Sequence, residues 1–409
     1  LFAVVFFNNA ALPALLVRQE YISLETRRSL MKRRVAEAAS SSRLDRRWKT
    51  PPLPWREIGR NGFALPNVIE KHPIFIISLR GTDILLGMPT RSAMTRLEEK
   101  ARKIAYLSEL VGQSATTPLA GASHLPTLAR PDELGVTFIG HSSFLVQIGG
   151  LTALVDPVFA RWLVVLRRLR HPGVSIDGLP PIDAVLLTHA HMDHLNRPSL
   201  RKIAAHTRRL TGKAPLAIVP WGVDDLIQDL GFSRIVSLEW WQATTLGGVE
   251  VTLTPAKHWG ARLFNDTYRG FGGYVLRGGG HSLYHSGDTA YFPGFAEIGR
   301  RLAPEVALLP IGAYSPDNFR AVHTSPEDAL RGFLDLGAKT MVPMHFGTFR
   351  LSAEPVTEPL PRLLAAAREA GVENRISALE EGETRIFPSH GEASPSRSMK
   401  LDEALVWAL

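Results

Sequence analysis

VLLTHAHMDHLN, residues 185–196, sets three histidines and an aspartate within six positions, directly behind an apolar run. Residues 183–187 read as a buried strand whose C-terminal end delivers His189, His191, Asp193 and His194 to one edge of a sheet. Alternate residues face the same way in extended chain, so His189 and His191 can converge while Asp193 and His194 turn to a second point nearby. A loop of this kind suits two metal ions better than one.

Two ions need more ligands than four, and the later sequence offers them at matching places. His258 closes VTLTPAKH, Asp288 follows SLYHSGD, and His345 closes TMVPMH. Each is a metal-competent side chain at the end of an apolar strand, where α/β proteins assemble their sites. The seven divide into His189, His191 and His258 on one ion, Asp193, His194 and His345 on the other, and Asp288 bridging. The chain has no cysteine, which excludes disulfides, thiolate zinc sites and cysteine nucleophiles. The ligands are therefore all N or O, the chemistry of zinc, with iron and manganese as alternatives. Two Zn2+ are the expected cofactors.

Working outward, residues 134–409 read as the catalytic domain. VTFIG, FLVQI and LTALVD are strands, the last two joined through Gly149-Gly150, a hairpin signal. After the histidine loop come a helix over 198–209, strand LAIVP, a helix near 223–230, strands RIVSLEW and VEVTLTPAKH, and two strands around a Gly triplet. Strand VALLPIG, a helix from Ser325, strand TMVPMH and a helix over 358–370 complete the pattern. Ser325 is the N-cap, Pro326 takes the first helical position, and Gly337 is the stop. Hairpins mixed with strand–helix–strand units predict a layered α/β protein.

Upstream, residues 1–50 form a basic, partly apolar N-terminal extension and 51–133 a helical and irregular lead-in. The 409 residues carry a formal charge of +8, much of it between Arg27 and Lys49. That charge predicts an affinity for anions, whether nucleic acid, an acidic membrane surface or a phosphorylated substrate, and alone does not choose among them. The expected partner is an anionic or phosphorylated small-molecule or lipid substrate, with peripheral membrane contact through the basic N-terminus. The helix predicted over 21–39 lies either on such a surface or, the favoured reading, solvated against the domain. LFAVVFFNNAALPALLV, residues 1–17, is too short and too interrupted for a membrane span, which leaves a buried or disordered tail or a membrane-associated segment. The expected location is cytoplasmic, peripheral to the membrane; a homodimer is the expected assembly, and nucleic acid is not an expected partner, since no aromatic platform interleaves with the basic residues.

The metal loop and its later partners resemble the metallo-β-lactamase superfamily over roughly 134–385. That resemblance implies a four-layer αβ/βα sandwich, here with an N-terminal helical extension. Within the superfamily, VTFIGHSSFLVQ, LVDPVF, GDTAYFPGFAEIGRR, LLPIGAYSPDNF, HTSPEDA and MVPMHFGTFRL are similar to the N-acyl phosphatidylethanolamine-hydrolysing phospholipase D branch. Asn196 departs from it, standing where that branch usually has Asp. The resemblance implies a phosphodiesterase of the phospholipase D type and places His323 near the substrate as a proton donor.

Two cations ~3.5–4 Å apart would acidify a bridging water toward neutrality. Asp193 keeps a carboxylate oxygen with which to orient the nucleophile or take its proton. Asp156, ending LTALVD, is either a strand-end turn or the acceptor that fixes a ligand histidine's tautomer. His141 and His285 are weighed as structural histidines over direct function, and Tyr314 either lines the pocket or packs. The competing readings are a lactonase or other ester hydrolase, a nuclease, a β-lactamase, and a metal-dependent interaction module without catalysis.

Overall fold

The computed structural model describes residues 116–262 and 266–389 continuously, two strands at 74–79 and 82–87, and single positions between 105 and 112. The apolar N-terminal stretch, the helix predicted over 21–39 and most of 91–112 lie outside the described residues. The chain divides into two compact units, Phe6–Glu99 and a larger one that contains Lys100–Leu409. The smaller unit holds an antiparallel hairpin, β1 (Ile74–Leu79) with β2 (Thr82–Gly87), in a lead-in read from sequence as helical and irregular.

In the larger unit, strands are β3 (Leu134–Gly140), β4 (Ser143–Ile148), β5 (Leu151–Val155), the short ribbon β6 (Trp162–Leu163) and β7 (Leu166–Arg167), and β8 (Ala184–Leu186). Then come helix α1 (Arg197–Thr211), β9 (Leu216–Pro220), β10 (Ile235–Leu238), β11 (Ala243–Leu246), β12 (Val249–Thr254), β13 (Gly273–Gly278) and β14 (His281–His285). Helix α2 (Gly294–Leu302), β15 (Val306–Pro310), α3 (Pro326–Leu336), β16 (Thr340–Met344), α4 (Pro359–Glu369) and β17 (Thr384–Phe387) follow.

Two sheets result, of seven strands in the order β10-β9-β8-β5-β4-β3-β17 and six in the order β11-β12-β13-β14-β15-β16. Each joins antiparallel hairpins to a parallel side: β5, β8, β9 and β10 run parallel in the first sheet, β14, β15 and β16 in the second. Parallel strands bring their C-terminal ends to one edge, which is where the histidine loop leaves β8.

The period-two alternation decides the layering. On β8, Ala184 and Leu186 face the core shared by the two sheets, while Val185 faces the helical layer with Leu200 and Ile203 of α1. On the other side, Phe295 and Ile298 of α2, Phe333 of α3 and Leu363 of α4 pack on Ala307, Leu309 and Met341. Helix, sheet, sheet and helix thus stack as a four-layer αβ/βα sandwich. Core positions such as Leu308 are fully buried, and truncation of such a leucine to alanine costs about 2–5 kcal/mol.

At the Gly149-Gly150 turn both glycines have positive φ, 56° and 81°, the geometry that a two-residue hairpin needs and that a Cβ disfavours. Gly149 also packs backbone to backbone on Gly279 of the β13–β14 turn, where an added Cβ would stand 2.8 Å from the Gly149 Cα.

Five elements differ from the sequence reading. Residues 223–230 form two 3-10 turns, Asp224–Leu226 and Gln228–Leu230, because Ile227 between them is non-helical at φ −129°. The strand read to His258 stops at Thr254, so His258 is carried on a loop. Helix α2 and strands β11 and β17 have no counterpart in the reading.

Candidate metal centre

The cluster assembles from strand ends. β8 delivers His189, His191, Asp193 and His194; the loop after β12 brings His258, β14 leads to Asp288, and β16 leads to His345. Hydrogen bonds tie the halves together there: the His345 amide donates to His141 O at 2.9 Å, and the Tyr274 hydroxyl to Leu187 O at 2.9 Å. The His258 loop is held to the Asp288 loop, where Lys257 N–H donates to Thr289 Oγ1 and Ala290 N–H to Lys257 O, both at 2.9 Å.

Two groups of four donors form, each within 4.8 Å, His189, His191, His258 and Asp288, and His141, Asp193, His194 and His345; two triads overlap them, Asp156 with His189 and His194, and Asp288 with His323 and His345. His191 Nδ1 lies 2.8 Å from His189 Nε2 and 3.2 Å from His258 Nε2. Nitrogens sharing a tetrahedral zinc at ~2.0–2.1 Å stand roughly 3.3 Å apart, close to that spacing. Asp288 lies between the groups: its Oδ2 is 3.9 Å from both His189 Nε2 and His258 Nε2 and 3.1 Å from His345 Nε2, while Oδ1 is 3.2 Å from His194 Nε2. His194 Nε2, His345 Nε2 and Asp288 Oδ1 are buried without a hydrogen-bond partner among the described residues. Buried polar atoms left unpaired and aimed at a common point are what a cation would satisfy, so the donor set fits zinc.

Neighbouring groups set which ring nitrogen faces the cluster. His194 Nδ1–H donates to Asp156 Oδ2 at 2.7 Å, and His258 Nδ1–H to Val322 O at 2.9 Å. His189 Nδ1 lies 2.9 Å from Thr188 Oγ1, which donates to Asp156 Oδ2 at 2.6 Å. Each bond occupies Nδ1, so that Nε2 is the nitrogen that faces the cluster. His141, Asp156 and His345 adopt positive φ of 60°, 45° and 62°, a conformation that costs roughly 1–3 kcal/mol for a non-glycine residue.

Burial and charge divide the histidines. Burial, then the neighbouring imidazoles, hold His189 well below its ordinary range, and burial with His258 takes His191 down to about 3. Burial takes His258 down to about 4, Asp288 opposing it. Burial also pulls on His194 and His345, but carboxylates outweigh it: Asp288, Asp156 and Asp193 hold His194 well above its ordinary range, and Asp288 with Asp193 takes His345 up to about 9. Burial works against charge on Asp193 and Asp288, yet the surrounding histidines hold both well below the usual carboxylate range.

The remaining candidates fall in different places. His141 Nε2 is 3.2 Å from Asp193 Oδ2 and so contacts the cluster. His285 is satisfied by backbone, its Nε2–H donating to Ser142 O and its Nδ1 accepting from Gly287 N–H. His323 sits against the cluster, its Nδ1 3.8 Å from Asp288 Oδ2 and its ring 5.1 Å from that of His258. Tyr314 turns its hydroxyl to Glu358 at 2.7 Å. Thr188 and Trp259 were not singled out in the sequence; the Trp259 ring lies 4.8 Å from His191 and 4.4 Å from His258. Their signal was adjacency, each being chain neighbour to a ligand candidate. Asn196 caps α1, its Oδ1 accepting from Ser199 N at 3.0 Å, a task that Asn and Asp perform equally well.

Comparison with known proteins agrees with this architecture. A beta-lactamase superfamily domain model matches residues 152–346. An uncharacterized protein of Mycobacterium tuberculosis is 36% identical over 304 residues, 69% of this chain and 77% of that one. A metal-dependent hydrolase of Rubrobacter xylanophilus is 31% identical over 61% of this chain and 94% of its own. The mitochondrial N-acyl-phosphatidylethanolamine-hydrolyzing phospholipase D of Saccharomyces cerevisiae is 31% identical over 64% of this chain and 59% of its own length. The chain belongs to the metallo-β-lactamase superfamily of metal-dependent hydrolases.

Proposed function

We infer that the protein is a dinuclear zinc hydrolase that cleaves a phosphodiester, by phospholipase D-type hydrolysis of N-acyl phosphatidylethanolamine-like phospholipids. The observation that carries the two-ion reading is the Asp288 carboxylate, which faces His189 and His258 on one side and His194 and His345 on the other. The substrate class draws its support from the similarity to the yeast phospholipase D.

His189, His191 and His258 would hold one zinc, Asp193, His194 and His345 the other, with Asp288 shared. Bound zinc supplies Lewis-acid stabilisation of phosphoryl charge and acidifies water. His141, 3.2 Å from Asp193 Oδ2, fixes that carboxylate, which leaves its second oxygen to orient a water and take its proton. The hydroxyl oxygen adds to phosphorus, the phosphorus–oxygen bond to the N-acylethanolamine breaks, and the departing oxygen receives the proton. His323, buried beside Asp288 with Nδ1 unpartnered among the described residues, donates a hydrogen bond to a phosphoryl or leaving oxygen.

Peripheral contact with an anionic bilayer belongs to this reading, given the formal charge of +8. No helix among the described residues is long and apolar enough to cross a membrane.

Metal analysis joined to a substrate panel tests the reading. About two zinc ions per chain and release of N-acylethanolamine from N-acyl phosphatidylethanolamine in vesicles are expected. Turnover of lactones in lipid-free buffer, with every phosphodiester left intact, would replace it with a lactonase.

A further inference from the structure

Arg262 lies four residues beyond His258 on the same loop, and it reaches back to the histidine loop. Its Nη1 donates to Ala190 O at 2.8 Å and to Leu195 O at 2.9 Å. Ala190 separates His189 from His191, and Leu195 follows His194 directly, so the two carbonyls bracket His191, Asp193 and His194. Ala190 and Leu195 are both fully buried, and among the described residues neither carbonyl receives a backbone hydrogen bond. Without the guanidinium, two buried acceptors would stand unpaired, and the loop would lose a cross-tie to the segment that carries His258. No carboxylate among the described residues pairs with Arg262 within 4.0 Å, and burial holds its guanidinium below its ordinary range. A half-buried arginine spent on two buried backbone carbonyls serves the loop's shape.

We propose that Arg262 is the positioning residue of the metal centre, a single guanidinium nitrogen that locks the 190–195 loop to the His258 loop and so sets the distance from His258 to His189 and His191. The proposal rests on the cluster being a metal centre. It assigns Arg262 no contact with substrate. Its removal loosens ligand geometry, and metal affinity falls before the fold does.

The test compares wild type, Arg262→Ala and Arg262→Lys. Zinc affinity is measured by chelator competition, the electronic spectrum is recorded after cobalt loading, and the metal-free proteins are unfolded thermally. In Arg262→Ala, zinc affinity is expected to fall on the order of 10–100-fold, the usual scale for losing a group that orients ligands. The cobalt bands are expected to shift, with the metal-free midpoint close to wild type. Arg262→Lys, which keeps the charge but lacks the planar fork, is expected to fall between, and added guanidinium ion to restore part of the alanine variant's affinity. Wild-type affinity together with an unchanged cobalt spectrum in Arg262→Ala would overturn the proposal. Should the alanine variant not fold, Arg262→Lys decides: reduced affinity supports the proposal, and wild-type affinity assigns Arg262 to the fold. A wild-type protein that takes up neither zinc nor cobalt fails the metal-centre reading instead, which separates the two.

Discussion

The two sides of the cluster use the same side chain in opposite charge states. His189, His191 and His258 lie together with Asp288 as the carboxylate of their group, and burial takes His191 down to about 3 and His258 to about 4. His194 and His345 lie among Asp156, Asp193 and Asp288, which hold His194 well above its ordinary range and His345 up to about 9. Carboxylate company, more than burial, therefore separates them, since all five rings are buried or nearly so. The first side is held toward the neutral form, which suits a cation, and the second toward the protonated form, which a cation would have to displace.

The contrast can be broken most completely at Asp288, which both sides share. Asp288→Ala is expected to lower zinc content below two per chain and turnover by at least about 10²–10³-fold, the scale of removing one preorganised charge-stabilising group; unchanged occupancy by metal analysis would sink the bridging assignment. A smaller, one-sided effect is expected of Asp156→Asn. It weakens the acceptor of His194 Nδ1–H, so zinc affinity should fall about 10–100-fold, chiefly in the weaker of two binding events, and equal losses in both would deny the asymmetry.

Proton release sharpens the comparison without mutation. A metal cannot share a lone pair with a proton. At pH 7 uptake on the His194 and His345 side therefore releases protons, and uptake on the other side releases almost none. Affinity on the first side should rise with pH toward about 9, where His345 loses its proton, and on the second stay flat down to about 4, set by His258. Calorimetry in buffers of different ionisation enthalpy counts the protons, and equal release from both events would erase the distinction. The smallest effect is expected at the loop's exit, where Asn196→Asp exchanges one good N-cap for another; stability by denaturant unfolding should change by less than about 0.5 kcal/mol.

The parts of the fold that could be read from sequence have local causes. β8 and its histidine loop announce themselves by an apolar run and a sudden change of chemistry, and α3 by Ser325, Pro326 and Gly337, all of which cap it as the residue types suggest. β17 is four residues long and pairs with β3, so that Thr384 meets Thr137 across most of the domain's length; nothing local marks that partner. Helix α2 begins without a side-chain cap at Pro293, and the usual entry signal is missing. In the centre, residue identity proposed the ligand candidates, and the structure gathers them in two neighbouring groups with Asp288 facing both. Asp156 was weighed as the acceptor for a ligand histidine, and its Oδ2 takes the His194 Nδ1–H. The orientation of the other rings could not be read, since Thr188 and the Val322 carbonyl set it through contacts that only folding creates. Arg262 was passed over for the same reason, its partners being backbone carbonyls that carry no sequence signature.

Asp156 receives a proton from His194 directly and, through Thr188, connects to His189 on the opposite side. One carboxylate thus serves a histidine of each group. A substitution there acts on His194 directly and on His189 only at one remove, so a mixed-metal variant built at Asp156 would shift the two positions by unequal amounts.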